Sequence, residues 1–372
     1  MLIGIPKEIK SQEFRVGMVP SSVNELILHG HQVIVETNAA SGIGIEDEDY
    51  RAVGAEVVGS ADEVFARADM IVKVKEPQLV ECKKLREGQI LFTYLHLAPD
   101  LAQTEALMES GCIAIAYETV TDRYGRLPLL SPMSEVAGRM SIQAGAKCLE
   151  IVHGGKGLLL GGVPGVEPAK VVVIGGGVVG TNALRMAIGM EANVTVIERS
   201  LDRLRELDLQ FGAQLNTIYS TRDAIERYVT QADLVVGAVL VAGAKAPSLI
   251  TKDMVKNMQK GAVLVDVAID QGGCSETSKP TSHEHPTYIV DDVVHYCVSN
   301  MPAGAACTAT YALNNATLPF IINLANKGYK QALLSDPNLL NGLNVYFGDI
   351  VCEAVAESHN KNYADPKERL TV

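Results

Sequence analysis

Three glycines in the stretch KVVVIGGGVVGTNALRMAIG, residues 170–189, have the spacing of a phosphate-binding turn. Gly175, Gly177 and Gly180 form G-x-G-x-x-G between a β-branched run and a helical pattern. In such a loop the first glycine permits the tight turn and the second lets backbone N–H groups approach a pyrophosphate. The third lets helix and strand pack closely. The spacing predicts a dinucleotide site.

An acid follows at the position that such a site needs. Glu198 ends the next apolar run, VTVIE, 23 residues after Gly175. A carboxylate there would bind both hydroxyls of an adenine ribose and would repel a 2′-phosphate, which favours NAD over NADP. Arg199 and Arg203 lie close by and could stack on adenine or soften that exclusion. The alternative is a glycine turn followed by a solvated glutamate.

Two cations are candidates for gripping a substrate. Arg15, in SQEFRVGMVPSSV, lies in a loop before a helix, where a guanidinium could hold a carboxylate through two parallel hydrogen bonds. A solvated surface arginine is the alternative. Lys75 ends the apolar strand DMIVKVKEP, and Lys73 shares its strand face, so one of the two could be structural or solvated.

Two further side chains could move protons. His96 follows the apolar strand of ILFTYLHLAPD, and histidine exchanges protons near neutral pH, although a hydrogen-bonded core histidine fits equally well. Asp270 comes at the end of the strand in AVLVDVAIDQGG, where a carboxylate would face the nicotinamide half of a cofactor. Asp266, within the apolar run, is predicted to be structural.

These residues require elements that position them at strand ends. From the first residue, short β-rich runs alternate with helical segments, and a second alternating series begins near residue 170. This pattern predicts an α/β protein with two doubly wound domains, mostly parallel sheets and long connecting helices, one domain being a Rossmann domain. We expect a discontinuous substrate domain at 1–128 plus 307–372, and an NAD-binding domain at 129–306.

Composition limits the classes of function. The chain has 372 residues, with 47% hydrophobic and 20% charged residues and a formal net charge of -12. The dispersed negative charge disfavours nucleic acid. There is no apolar run near the ~18 residues that span a bilayer, and no secretory signal pattern, so a cytoplasmic protein with small-molecule partners is expected. Seven cysteines without paired C-x-x-C spacing predict buried free thiols, including Cys307 and Cys352, and no metal site.

The whole constellation resembles the alanine dehydrogenase family, which also holds the NAD-binding part of proton-translocating transhydrogenase. The resemblance covers nearly the whole chain, in the segments IGIPKEIKSQEFRVGMVP, VKVKEP, LFTYLHLA, LLSPMSEVAGRMSIQAGA, VVVIGGGVVGTNA, DVAIDQGG and TYALNNATLPF. It implies reversible oxidative deamination of L-alanine by NAD, giving pyruvate, ammonium and NADH. It also implies a homo-oligomer, typically a hexamer.

The resemblance also implies roles for single residues. Arg15 would bind the substrate carboxylate, Lys75 the carboxylate or the developing carbonyl, His96 would be the general acid/base, and Asp270 would orient water or ammonia. Cofactor contacts are implied, beyond the glycines, at Ser134, Val178, Val179, Glu198, Arg203, Ser220, Val239, Leu240, Val267, Ala268, Ile269, Asp270, Lys279, Val298, Ser299, Asn300 and Met301.

The chain departs from the family pattern at two places. Glu198 stands where relatives commonly have Asp, which shifts the reach of the carboxylate and bears on cofactor preference. Ala306 and Cys307 replace a Pro-basic pair, which bears on local interdomain contacts. Three other functions stay open: a transhydrogenase-type subunit, a catalytically silent NAD-binding sensor, and a dehydrogenase of another small amino acid.

Overall fold

The alternating pattern folds into two units, each built on one sheet. The computed structural model describes residues 1–239 and 246–371. One unit comprises Met1–Pro132 with Ala306–Val372, and the other comprises Met133–Ala305. The chain passes between them within the 18-residue helix Ser131–Cys148, called α6, and again directly before the 22-residue helix Ala306–Lys327, called α11, so long helices join the two units. Both units are α/β, with mostly parallel sheets and helices on both sides, as the sequence predicts.

The first unit contains an eight-stranded sheet of order β15-β14-β6-β5-β4-β1-β2-β3. Strands β1 to β6 pair in parallel, whereas β14 pairs antiparallel with β6 and β15 antiparallel with β14. The strands are β1 Leu2–Ile5, β2 Gln32–Glu36, β3 Glu56–Val58, β4 Met70–Val72, β5 Ile90–Thr93, β6 Ile113–Ala116, β14 Leu343–Tyr346 and β15 Asp349–Ile350. The helices are α1 Pro20–Leu28, α2 Asp47–Ala52, α3 Ala61–Arg67, α4 Leu79–Cys82, α5 Leu101–Ser110, α11 Ala306–Lys327, α12 Tyr329–Ser335, α13 Pro337–Leu340, α14 Glu353–Ser358 and α15 Pro366–Thr371. Helix α6 begins in this unit with Ser131 and Pro132 and continues in the second unit.

The second unit contains a seven-stranded sheet of order β12-β13-β11-β10-β7-β8-β9, in which only β12 is antiparallel among the described strands. Its parallel strands have the order 3-2-1-4-5-6 of a Rossmann-like sheet. The strands are β7 Lys170–Ile174, β8 Asn193–Glu198, β9 Leu215–Tyr219, β10 Leu234–Gly237, β11 Val263–Asp266, β12 Thr287–Val290 and β13 Val293–Tyr296. The helices are α7 Val178–Gly189, α8 Leu201–Phe211, α9 Arg222–Gln231 and α10 Lys252–Lys256.

Both faces of the second sheet are buried. Val171 and Val173 of β7 belong to one apolar cluster, and Val172 and Ile174 belong to another. Because neighbouring side chains on a strand point to opposite faces, a strand covered on both sides reads as one continuous apolar run. This is why the run KVVVI could be recognised from the sequence.

All seven cysteines are free thiols. Five are buried, but Cys307 is exposed and Cys352 is half-buried, so the expectation that these two are buried thiols is wrong. Cys307 lies in the first turn of α11 and Cys352 lies directly before α14, and both of these elements face solvent on one side. In the described part of the chain no helix is both long and apolar enough to cross a membrane.

Candidate active site

The first sheet brings three candidate residues to one edge. Strand β1 lies between β2 and β4, so the connections from β1 and from β4 leave in opposite directions across the sheet. Ligands of open α/β sheets collect at such a switch point, beyond the carboxyl ends of the strands. Arg15 lies in the loop after β1, Lys75 three residues after β4, and His96 three residues after β5.

Arg15 is held by a neighbouring carboxylate. Its Nε donates to Glu13 Oε1 at 2.6 Å and its Nη2 donates to Glu13 Oε2 at 2.6 Å. The side chain is 1% exposed, so the alternative of a solvated surface arginine is wrong. Burial disfavours the cation, but the hydrogen bonds and charge of Glu13 outweigh it and raise the pKa of Arg15. The site therefore has a permanent, oriented cation.

Lys75 and Lys73 have different environments despite their shared strand parity. Lys73 is fully buried, and its Nζ lies 3.0 Å from Glu8 Oε2 and 2.8 Å from Glu81 Oε1. Lys75 keeps 13% of its side chain exposed, and its Nζ lies 3.8 Å from Glu76 Oε2. Lys73 is thus the structural lysine of the two.

Glu8 fixes the loop that carries Lys75 through backbone hydrogen bonds. Glu8 Oε1 accepts hydrogen bonds from the backbone N–H groups of Val74 at 2.7 Å and Lys75 at 3.4 Å. The Thr93 hydroxyl donates to the Lys75 carbonyl at 3.0 Å, which ties this loop to the end of β5. Burial raises the pKa of Glu8 even though Lys73 opposes the shift.

His96 occupies an unusual backbone conformation. Its φ is +50°, and its backbone N–H donates to Glu118 Oε1 at 2.5 Å. The imidazole is 43% exposed and stacks on the ring of Tyr94, with centroids 5.8 Å apart and an angle of 6° between the planes. Tyr94 is buried and donates its hydroxyl to the Leu129 carbonyl at 2.5 Å. The imidazole is thus supported on one face by the Tyr94 ring and open to solvent over part of its surface.

The glycine loop of the second unit has the shape that its spacing predicts. Gly175 has φ +98°, a conformation that other residues rarely adopt. A Cβ on Gly180 would lie 1.9 Å from the Gly175 carbonyl oxygen, so only glycine lets α7 approach β7 this closely. Around Gly177, no heavy atom of the described residues beyond its chain neighbours lies within 4 Å of a Cβ position. This space adjoins the first turn of α7, whose N–H groups have no intrahelical acceptors.

Glu198 ends β8 beside this loop. Its Oε2 accepts from the Gly176 N–H at 2.8 Å and its Oε1 accepts from the Ser200 N–H at 2.9 Å. Arg203 is fixed on the same turn, since its Nε donates to the Gly176 carbonyl and its Nη2 to the Thr181 hydroxyl, both at 2.7 Å. The Glu198 side chain, which is longer than that of an aspartate, therefore hydrogen-bonds to the glycine turn. Its negative charge lies between that turn and the end of β8.

Asp270 lies in the turn Val267–Gln271 after β11. Its two oxygens lie 3.3 and 3.2 Å from the backbone nitrogen of Asn300, which donates to them, and the residue is otherwise exposed. Asp266 is buried beneath it and accepts hydrogen bonds from Ala268 N–H, Cys274 N–H and the Ser278 hydroxyl. Asp266 thus shapes the turn, and Asp270 is presented by it.

The candidate residues fall into both units. Arg15, Lys75 and His96 lie at the carboxyl edge of the first sheet, and Asp270 lies at the carboxyl edge of the second. Among the described residues no group of three or more His, Cys, Asp or Glu side chains is arranged to hold a metal ion.

Both halves of the chain match profiles of one family. Residues 4–137 match the family described as alanine dehydrogenase/PNT, N-terminal domain, and residues 141–353 match alanine dehydrogenase/PNT, C-terminal domain. The chain belongs to the alanine dehydrogenase/PNT family.

Individual relatives agree with this family assignment. The chain is 54% identical to an alanine dehydrogenase of Halomonas elongata over 98% of both chains, and 53% identical to one of Methanococcus maripaludis over 100% of both. A solved L-alanine dehydrogenase superposes with a TM-score of 0.94 at 52% identity, covering 97% of this chain and 99% of that one. A transhydrogenase from Sinorhizobium meliloti, 23% identical with a TM-score of 0.83, shares the fold.

The cofactor contacts implied by the family resemblance lie mostly where strands of the second sheet end. Four groups begin within two residues of the ends of the parallel strands β9, β10, β11 and β13: Ser220, Val239, Val267–Asp270 and Val298–Met301. Leu240 lies outside the described residues. Ser134 lies in the first turn of α6, and the backbone N–H of Lys279 donates to the Tyr288 hydroxyl at 2.7 Å. Their contact with a cofactor stays a prediction.

Sequence reasoning missed the carboxylates that hold the functional residues. Glu8, Glu13 and Glu118 each bind Arg15, Lys75 or His96 through side-chain or backbone groups. A signal existed for Glu8 and Glu118, because each follows the carboxyl end of an apolar strand, as Lys75 and His96 do.

Proposed function

We propose that the chain is an NAD-dependent alanine dehydrogenase, which converts L-alanine, NAD⁺ and water reversibly to pyruvate, ammonium and NADH. The observation that carries this proposal is the placement of an oriented arginine, a lysine and a histidine after the three adjacent strands β1, β4 and β5, at the carboxyl edge of the first sheet. The names of relatives at 52–54% identity over nearly the whole chain support the substrate.

The residues of the second unit fit NAD. The open space beside Gly177 and the first turn of α7 would admit a pyrophosphate. Glu198 uses one hydrogen bond per oxygen within the protein, and a carboxylate has about four acceptor positions, so ribose hydroxyls can still be bound. Its charge would oppose a 2′-phosphate. When bound, NAD⁺ supplies the hydride acceptor for the alanine Cα.

Arg15 and Lys75 would hold the substrate. The guanidinium is fixed by Glu13, so little freedom is lost when it grips a carboxylate. The Lys75 ammonium is partly exposed, and we assign it to the substrate carboxylate or to the oxygen that becomes the pyruvate carbonyl.

His96 and Asp270 would manage the protons. Once the alanine ammonium has lost one proton to solvent and the Cα has lost its hydride, the substrate is an iminium ion, and water adds to its carbon with loss of a proton to His96. The resulting carbinolamine expels ammonia when its nitrogen gains a proton and its hydroxyl loses one, and pyruvate remains. Asp270 would orient the water or ammonia. The two proton transfers explain the use of two titratable groups.

The family resemblance also supports a cytoplasmic homohexamer. Light scattering of the purified protein would measure the assembly directly, and a stable monomer or dimer would contradict this part of the proposal.

The test is absorbance at 340 nm with purified protein, NADH, ammonium and a panel of 2-oxo acids, repeated with NADPH. We expect ammonium-dependent oxidation that is fastest with pyruvate and NADH. If another 2-oxo acid were turned over faster than pyruvate, the substrate would be the corresponding amino acid instead of alanine. NADH binding without any ammonium-dependent oxidation would refute a dehydrogenase.

The His96→Ala variant tests the assigned chemistry. We expect its turnover to fall by about 10² or more, because that is the usual contribution of a general acid/base. NADH binding, measured by fluorescence titration, should be unchanged, since His96 lies in the other unit from the glycine loop. Unchanged turnover would refute the role of His96.

A further inference from the structure

The backbone of His96 is held in a conformation that a residue with a Cβ atom rarely adopts. Its φ of +50° lies in the left-handed region, where residues with a Cβ are uncommon. Such conformations persist at functional sites when surrounding groups enforce them. The group that does so at His96 comes from the neighbouring strand connection.

That group is the carboxylate of Glu118. It lies in the turn Tyr117–Thr119 after β6, which pairs in parallel with β5. Glu118 Oε1 accepts from the N–H of His96 at 2.5 Å and from the N–H of Leu95 at 3.1 Å, and Oε2 accepts from Leu95 at 3.2 Å. Two successive N–H groups that converge on one anion form a preferred anion-binding geometry.

The same carboxylate also lies beside the imidazole. Glu118 Oε1 is 3.9 Å from His96 Nδ1, and the glutamate side chain is 14% exposed. The stacked ring of Tyr94 supports the imidazole face. Glu118 therefore holds the backbone of the histidine and lies beside one edge of its ring.

We propose that Glu118 is a positioning residue that acts on the reaction through His96. This proposal rests on the proposed dehydrogenase function. The positioning of His96 depends more on where Glu118 Oε1 lies than on the charge of the carboxylate. Glu118→Gln keeps an acceptor oxygen at the same distance from the backbone. Glu118→Asp keeps the charge but withdraws the carboxylate by one C–C bond, about 1.5 Å.

The experiment compares kcat and KM for ammonium-dependent pyruvate reduction by NADH. We expect Glu118→Asp to lower kcat by about 10-fold or more, because small displacements of a catalytic group are costly, with KM for pyruvate and NADH within about 3-fold. Glu118→Gln should retain kcat within about 3-fold of wild type. The control Glu105→Asp changes an exposed glutamate paired with Lys361 and should have no effect.

A second background separates positioning from general structural damage. In the His96→Ala protein, Glu118→Asp should change the residual kcat by less than about 2-fold, because the group it positions is gone. An equal loss of kcat in both backgrounds, or a greater loss with Gln than with Asp, would overturn the proposal. A wild-type protein without pyruvate-reducing activity would instead refute the proposed function and, with it, this role. If Glu118→Asp does not fold, the test uses Glu118→Gln in the wild-type protein and in the His96→Ala protein. A loss of kcat caused by Glu118→Gln in both backgrounds would overturn the proposal.

Discussion

Replacing Lys73 by Met should destabilise the fold, whereas replacing Lys75 by Met should remove activity. The Lys73 ammonium lies between Glu8 and Glu81, each with 2% of its side chain exposed. Methionine has a similar length and packs without a charge, so the change isolates the electrostatic contribution. Two buried carboxylates would be left without their cation.

The expected magnitude follows from this burial. Removing one partner of a buried ion pair costs about 3–5 kcal/mol, against a total stability of about 5–15 kcal/mol for native proteins. Burial already raises the pKa of Glu8, and loss of the cation would raise it further. Between the ordinary carboxyl pKa and the raised value, the native state then holds more protons than the unfolded state. Stability of Lys73→Met should therefore fall as pH rises through that window, and the defect should shrink in acid.

Urea unfolding followed by far-UV circular dichroism at two pH values measures this effect. Lys75→Met is the matched control, because Lys75 is partly exposed and Glu76 keeps its ion pair with Lys10. The control should lose turnover while its unfolding midpoint stays close to wild type. A Lys73→Met protein as stable as wild type at pH 7, or an equal loss in both variants, would refute the assignment of the two lysines.

Two further predictions concern the second unit. Glu198→Ala should raise kcat/KM for NADPH relative to NADH, because the charge that opposes a 2′-phosphate is removed; no gain in the ratio would place cofactor selectivity elsewhere. His295 is fully buried, donates from Nδ1 to the Val293 carbonyl and accepts at Nε2 from Thr277, and burial holds its pKa below the usual range. The unfolded state therefore binds more protons below about pH 6.5, so stability should fall as pH drops through that window. His295→Gln should flatten this dependence in thermal unfolding between pH 5 and 7, and an unchanged slope would contradict it.

The architecture was predictable where strands are buried on both faces. The runs that form β1, β5 and β7 are apolar except for a terminal Thr93 in β5 and Lys170 in β7, and turn residues separate them from helical patterns. Strands β3, β13, β14 and β15 were not predicted. They have two to four residues, and β14 exists through pairing with β6, more than 200 residues earlier in the chain, while β15 pairs with β14. Such pairing leaves no local pattern.

The positions of the candidate side chains at strand ends were predictable, but their environment was not. Sequence placed Arg15 in a loop, yet its burial depends on Glu13 and on the surrounding loops. The parity of Lys73 and Lys75 could not separate them, because the distinction arises from the position of Glu8 and Glu81 in space. Positive φ at His96 likewise depends on a carboxylate 22 residues away.

Each functional residue of the first unit has a carboxylate that fixes it, and the mode of fixing determines what substitution does. Glu8 and Glu118 bind backbone N–H groups, so the loops that carry Lys75 and His96 keep these hydrogen bonds when the side chains are removed. Glu13 instead binds the guanidinium of Arg15 itself, and a buried carboxylate would lose its partner if Arg15 were replaced. Substitutions at positions 75 and 96 should therefore report on chemistry alone, whereas substitution at position 15 should combine lost substrate binding with lost stability.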